Sequence, residues 1–188
     1  MTIKNFWCSH STTIDIGRII RVSGFKPSSE SFRVCQGTYF WNDEIELLGI
    51  LAEHWYECKK QWNNKGSKNS VYPEKDIIYA IVSCEESYII DLTHPNMRMA
   101  FIKLAEKMQE LDINNKHLIY ASLLHDLEEK VAKRLGNVAF QFKVVLAIES
   151  IPKIPNSFIT MQINSAKILV VRDNNEELIA IKDPFIAI

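Results

Sequence analysis

His10-Ser11-Thr12 closes a short apolar run near the N-terminus, and Gly37-Thr38-Tyr39-Phe40 follows a helix and a loop later. A histidine followed by small hydroxyl residues at a strand end offers donors and acceptors in a tight turn. A tyrosine on a glycine-flanked strand offers a flat aromatic surface where backbone can come close. Together they suit a flat heterocycle that bears an amide. The amide would pair with main chain near His10 and Ser11, the ring would stack on Tyr39, and the imidazole would hold a ribose hydroxyl. Taken singly, His10 also reads as a capping or buried histidine and Tyr39 as plain core.

The elements that must position these groups follow from spacing. Ile3 to Cys8 predicts a strand, and Thr12 with Asp15 predicts a capping box for the helix behind it. Ile16, Ile19 and Ile20 form the expected buried stripe of that helix, and Gly24 stands where a left-handed stop is wanted. Lys26 to Arg33 reads as a polar loop, and Val34 to Trp41 as a strand with Gly37, Tyr39 and Trp41 on one face. Asp43 and Glu46 suggest a second capping box, opening a helix to about Trp62 that carries Leu47, Leu48, Leu51, Ala52 and Trp55 at helical spacing.

Asp76 to Cys84 predicts a buried strand, and Ser87 to Leu92 a close neighbour of it. A helical block comes next, one stripe from Ala100 to Met108 and another from Leu118 to Leu135, stopped by Gly136. The tail returns to strands at Val138 to Glu149, at Ser157 to Ile163 along an edge, and at Lys167 to Arg172. Asp173-Asn174-Asn175 then turns the chain into Leu178 to Lys182. The expected architecture is one α+β domain over residues 1–188, strands at both ends and helices inserted between them.

Composition narrows the classes. At 188 residues, 47% hydrophobic and 24% charged, the chain is long enough for one domain with a real core. A net charge of −1 and a pI near 6.5 give no global basic field for nucleic acid, although a local groove stays open to it. The start, MTIKNFWCSH, lacks the basic and long apolar regions of a secretory signal, and no uninterrupted apolar run suits a bilayer span. A cytoplasmic setting is expected, and an effector delivered into a target-cell cytosol would look the same. Cys8, Cys35, Cys58 and Cys84 are widely spaced and read as reduced core residues, with no metal site implied. Rossmann, phosphate-loop and zinc-protease motifs are missing from the sequence.

The order His10-Ser11-Thr12, helix, Gly24-Phe25, Gly37-Thr38-Tyr39-Phe40 resembles the ADP-ribosyltransferase superfamily, in the branch like poly-ADP-ribose polymerases and diphtheria toxin. That branch reads H-G-[ST], a helix, G-F, then G-x-Y-F. The resemblance implies a split β-sheet core with inserted helices. It puts the signature histidine on His10 and the nicotinamide-stacking tyrosine on Tyr39, with Ser11 replacing a glycine. Ser11, Thr12, Gly24 and Gly37 would join them in binding NAD, which is the substrate. More weakly, YIIDL at Tyr88 to Leu92 is similar to a strand of bacterial members, and the segments after Phe142 resemble the family's last three strands.

The family's third signature position is a glutamate opening the penultimate strand, and the same alignment puts Ile168 there. A carboxylate on the ribose 2′-hydroxyl would strengthen its hold as the oxocarbenium-like charge develops. Glu149, closing VVLAIE, is the leading substitute and Glu177 the second; Gln162 and Asn164 offer hydroxyl contacts without charge. Arg18, Arg21 and Arg33 are available for the pyrophosphate.

The resemblance therefore implies a mono-ADP-ribosyltransferase of bacterial toxin, effector or defence type. It would act on a macromolecular acceptor, protein or nucleic acid, with a neutralising antitoxin partner as a corollary. An NAD glycohydrolase, or a catalytically silent NAD-binding module of the same fold, is the alternative.

Overall fold

The computed structural model describes residues 2–26, 34–42, 49–64, 72–107, 116–136, 139–151, 153–154 and 165–182. The strands among them are β1 (Ile3–Thr13), β2 (Gly37–Asn42), β3 (Lys75–Glu85), β4 (Ile89–Asp91), β5 (Val144–Ser150), β6 (Ser165–Arg172) and β7 (Ile179–Lys182). The helices are α1 (Ile14–Ser23), α2 (Ile50–Asn64), α3 (Pro95–Lys107) and α4 (Lys116–Leu135). The fold is α+β, with one mixed seven-stranded sheet.

Period-two alternation sorts the core. On β6, Ile168 and Val170 join Trp41, Leu51, Tyr120, Leu123, Val145 and Ala147 in one cluster. Leu169 and Val171 point the other way, into a cluster with Cys8, Phe40, Ile78, Val82 and Leu146. The central strands are thus buried on both faces, which explains their near-continuous apolar runs. Helices α2 and α4 cover the first face, and Ile20 of α1 with Phe25 closes part of the second.

The sheet order is β4-β5-β6-β2-β1-β3-β7, with β4–β5 parallel and the other pairs antiparallel. Its middle seam is short. β1 pairs with β3 along its whole length, whereas the β1–β2 ladder consists of Cys8 with Asn42 and Ser9 with Trp41. Beyond those pairs the two strands part.

The sheet also curls. Glu85 ends β3 and Ile89 begins β4, so chain length holds them within about 14 Å. In a flat sheet the five strand spacings between β3 and β4 would separate them by roughly 24 Å. The two halves must therefore bend toward each other across the short seam.

Several expectations change. The first strand runs to Thr13, because His10, Ser11 and Thr12 pair with Ile78, Ile77 and Asp76. These residues lie in a ladder rather than a tight turn. Thr13 is the N-cap of α1 and makes no side-chain capping bond, so the Thr12–Asp15 box is not formed. Ile20 is buried as expected, but Ile16 and Ile19 are half-exposed.

β4 is not a neighbour of β3; the turn at Glu86–Tyr88 carries it to the opposite edge, where it pairs with β5. The turn at Asp173 to Asn175 exists, with Asn174 at φ 63°, but β7 goes on to pair with β3 instead of forming a hairpin with β6. Leu118 and Leu135 face solvent, while Ile119, Tyr120, Leu123 and Leu124 are the buried residues of α4. The Asp43–Glu46 box, Leu47, Leu48, Arg33, Met108 and the Ser157 to Ile163 edge strand lie outside the described residues. Among the described residues no helix is long and apolar enough to cross a membrane.

Leu169 is fully buried at the centre of the sheet. Leu169→Ala should cost about 2–5 kcal/mol by urea denaturation. Val22→Ser, at a position 89% exposed, should stay within about 0.5 kcal/mol of the parent.

Candidate functional site

The parting of β1 and β2 opens a cavity of about 480 Å³, inside the range of small-molecule sites. Ser9, His10 and Ser11 form one wall and Gly37 to Trp41 the other. Ile16, Ile19 and Ile20 of α1, then Gly24, Phe25 and Lys26, close one side. Trp55 and Lys59 of α2, Glu149 of β5 and Ile168 of β6 also line it. The half-exposed α1 isoleucines are therefore cavity wall, not misplaced core.

His10 holds the two walls together. Its Nδ1 lies 2.8 Å from the carbonyl oxygen of Tyr39. A carbonyl only accepts, so Nδ1 carries the proton and the neutral ring keeps a lone pair on Nε2. Burial pushes the His10 pKa below its usual value; the bond to Tyr39 opposes the shift, and the charge of Lys59 adds to it. Phe25 and Phe40 pack against the imidazole edge-on, with centroids at 5.3 and 5.9 Å. The ring is neutral, oriented, and presents an acceptor.

Tyr39 is fixed from the far end. Its hydroxyl donates to the Cys35 carbonyl at 2.6 Å and accepts from the Val34 and Cys35 amides at 2.9 and 3.1 Å. The hydroxyl thus serves the backbone, and the partly buried ring packs beside the cluster that holds Trp41 and Ile168 while also lining the cavity. Gly37 has a reason of its own: a Cβ there would lie 2.2 Å from the Val171 carbonyl oxygen, so its absence lets β2 pair with β6. Gly24, at φ 78°, ends α1 with its amide donating to the Ile20 carbonyl. Thr12 is not part of the lining.

The acids separate cleanly. Ile168 stands in mid-strand opposite Trp41 on one side and Ala147 on the other, and is buried in the cavity wall. Glu149 is opposite Ala166, two residues along β5 from Ala147. It therefore shares the face of Ile168 as its diagonal neighbour, at a separation of roughly 7–8 Å. Glu149 is buried, and its Oε1 accepts from the Ser150 amide at 3.2 Å. Burial and the charge of Glu149 push the Tyr120 phenol of α4 up to about 12, with Arg98 opposing. Glu177 is different. It sits in the Glu176–Leu178 turn before the edge strand β7, exposed and outside the cavity lining. Gln162 and Asn164 lie outside the described residues.

The arginines are engaged elsewhere. Arg21 makes a bidentate pair with Asp76 of β3, clamping α1 to the sheet, and Arg18 pairs with Asp15 on the solvent face. Lys26 and Lys59 are the cations at the cavity, and with Trp41 and Trp55 they are site residues that motif reading missed. The spacing of Trp55 and Lys59, one helical turn apart, was the available signal. None of the four cysteines is in a disulfide; burial raises the Cys58 and Cys84 thiols and pushes Cys35 up to about 12. Among the described residues no cluster of three His, Cys, Asp or Glu is arranged to hold a metal ion.

Compared with known proteins, the chain matches no family model, no curated protein and no solved structure.

Tyr39→Phe should lower stability by about 1–3 kcal/mol, since it leaves amides and a carbonyl near Val34 and Cys35 without their partner. For His10 the folded pKa lies below the ordinary 6.5, so the unfolded chain binds the extra proton first. Its contribution is intact above that value and is lost as pH falls from there through the folded pKa. Relative to His10→Asn, the parent should lose stability as the pH is lowered below the ordinary histidine value of 6.5, read as the shift in urea midpoint.

Proposed function

We propose that this chain is an NAD-dependent mono-ADP-ribosyltransferase with an ADP-ribosyltransferase-like split sheet, acting as a toxin, effector or defence protein. One observation carries the reading: three strands adjacent in the sheet, β1, β2 and β6, bring His10, Tyr39 and Ile168 to one cavity. These are the positions that the resemblance assigns to its signature residues. The curled sheet and its short middle seam are further support.

NAD is the substrate. Its nicotinamide lies on the Tyr39 face with its amide at the main chain beside His10 and Ser11. The His10 Nε2 lone pair accepts from a ribose hydroxyl. The charge of Lys59 at the rim favours the pyrophosphate.

The nucleophile on the acceptor attacks ribose C1′ as the bond from C1′ to the nicotinamide nitrogen breaks. The bonding pair leaves on nicotinamide, which departs neutral. Positive charge spreads over C1′ and the ring oxygen on the way, and the Glu149 carboxylate offsets it. Glu149 also takes the proton that the attacking group loses. An acid one strand away from Ile168 thus does the work expected at the signature position.

The apolar Ile168 itself favours the second reading, a silent module that binds NAD without turning it over. Incubation with NAD separates the possibilities. Nicotinamide release with ADP-ribose attached to a macromolecule is the expected result. Nicotinamide with free ADP-ribose means a glycohydrolase, and NAD binding without release means the silent module. Glu149→Gln should lower turnover by about a hundredfold or more, whereas Glu177→Gln should leave it unchanged. Parental rates in Glu149→Gln would remove Glu149 from the mechanism. His10→Asn keeps a donor for Tyr39 but loses the Nε2 acceptor, and should weaken NAD binding by isothermal titration.

A further inference from the structure

A ladder of three tryptophans leads out of the cavity. Trp41 in its wall is 8% exposed, Trp55 beside it is half-buried, and Trp62 further along α2 is 49% exposed. The Trp41–Trp55 and Trp55–Trp62 ring centroids lie 6.2 and 5.7 Å apart. Residues 55, 59 and 62 share one face of α2 by helical spacing. Lys59 fills the gap, its Nζ 5.8 Å from the Trp55 ring centroid. Charge is biased here too. Lys59 is exposed on the stripe, next to Lys60, which pairs with Glu57 at 4.0 Å. In sequence the stretch from Cys58 to Pro73 holds no acidic residue, and Lys65 and Lys68 in it lie outside the described residues.

Trp41 is core, whereas Trp62 packs edge-on against Trp55 and leaves about half of its surface to water at the end of the ladder. Aromatic faces interleaved with cations are how proteins hold single strands: bases stack on the rings, phosphates meet the ammonium groups, and sequence matters little. An apolar protein partner would need the rings but not the lysines.

We propose that the Trp55–Lys59–Trp62 stripe is a track for single-stranded nucleic acid, and that this strand carries the ADP-ribose acceptor. The track stands on the stripe alone; the acceptor half rests on the transferase reading. Trp55 and Lys59 belong to both stripe and cavity, so a strand lying on the stripe delivers a nucleotide to the rim. An amine or hydroxyl of that nucleotide is then the group that attacks C1′, its proton going to Glu149 and nicotinamide leaving.

The track is tested without NAD, by fluorescence anisotropy of labelled 12-mer oligo-dT and oligo-U titrated with the full chain at two salt concentrations. Binding is expected, weakened about fivefold or more in Trp62→Ala and less in Trp62→Phe. Circular dichroism should be unchanged in both. Lys59→Ala should lower the salt slope by about 0.7. No binding of either oligomer, or equal binding by the variants, overturns the track. An equal loss of NAD affinity in Trp62→Ala also overturns it, because the stripe would then hold the adenosine end of NAD.

The acceptor half is tested with labelled NAD and both oligomers present. Label on the oligomer, reduced together with nicotinamide release in Trp62→Ala while NAD affinity is unchanged, supports it. Label only on added protein overturns the acceptor half and leaves the transferase reading intact. Oligomer binding with no turnover at all overturns the transferase reading, and the acceptor half with it, while the track stands.

Discussion

A single side chain-to-backbone hydrogen bond sets the width of the cavity. Where β1 and β2 part, the main-chain groups of the diverging segments lose the partners a continuous ladder would supply. The Tyr39 carbonyl recovers one from His10 Nδ1. A buried carbonyl without a donor is costly, so the imidazole is held in place by the same need that it satisfies. The bond spans the fork and fixes the tautomer, with Nδ1 protonated and Nε2 left as the acceptor. Burial keeps the ring neutral, which preserves the acceptor.

Around that bond, each wall is braced from outside. β1 is locked to β3 along its full length, so it cannot follow β2. β2 is locked to β6 from Gly37 to Trp41, the close approach at Gly37 allowing it. α1 is clamped by Arg21 to Asp76, and the Tyr39 ring is tethered through its hydroxyl to Val34 and Cys35. The buried Glu149 carboxylate acts through a medium of lower dielectric than a surface group would, whereas Lys59 is exposed to water at the rim.

The cavity-lining residues were legible in the sequence where they form a local pattern. His10, Tyr39 and the glycine stop at Gly24 stand in order with a helix between them, and period-two alternation put Tyr39 on the face of Trp41. The acid was not legible in the same way. Choosing Glu149 over Glu177 requires knowing that β5 lies beside β6 and that Ala147 faces Ile168, while β7 leaves to join β3. Those are statements of register and strand order, and both glutamates look like strand-end acids in one dimension. Ile16 and Ile19 misled for a related reason: a helical stripe lining a cavity has the same spacing as a stripe facing a core.

By itself the sequence determined the class of the fold, most of its helices and strands, and two side chains, His10 and Tyr39, that line one cavity. Such features depend on neighbours within a few positions, where propensity, alternation and backbone stops act directly. Tertiary structure alone decided that β1 and β2 diverge after two pairs, that the sheet curls back so β4 reaches its far edge, and that Glu149, Lys59 and Trp55 converge on His10. Each of these joins segments distant along the chain. Long-range pairing is chosen by the total burial and hydrogen bonding of the whole sheet, and no local stretch of residues contains that information.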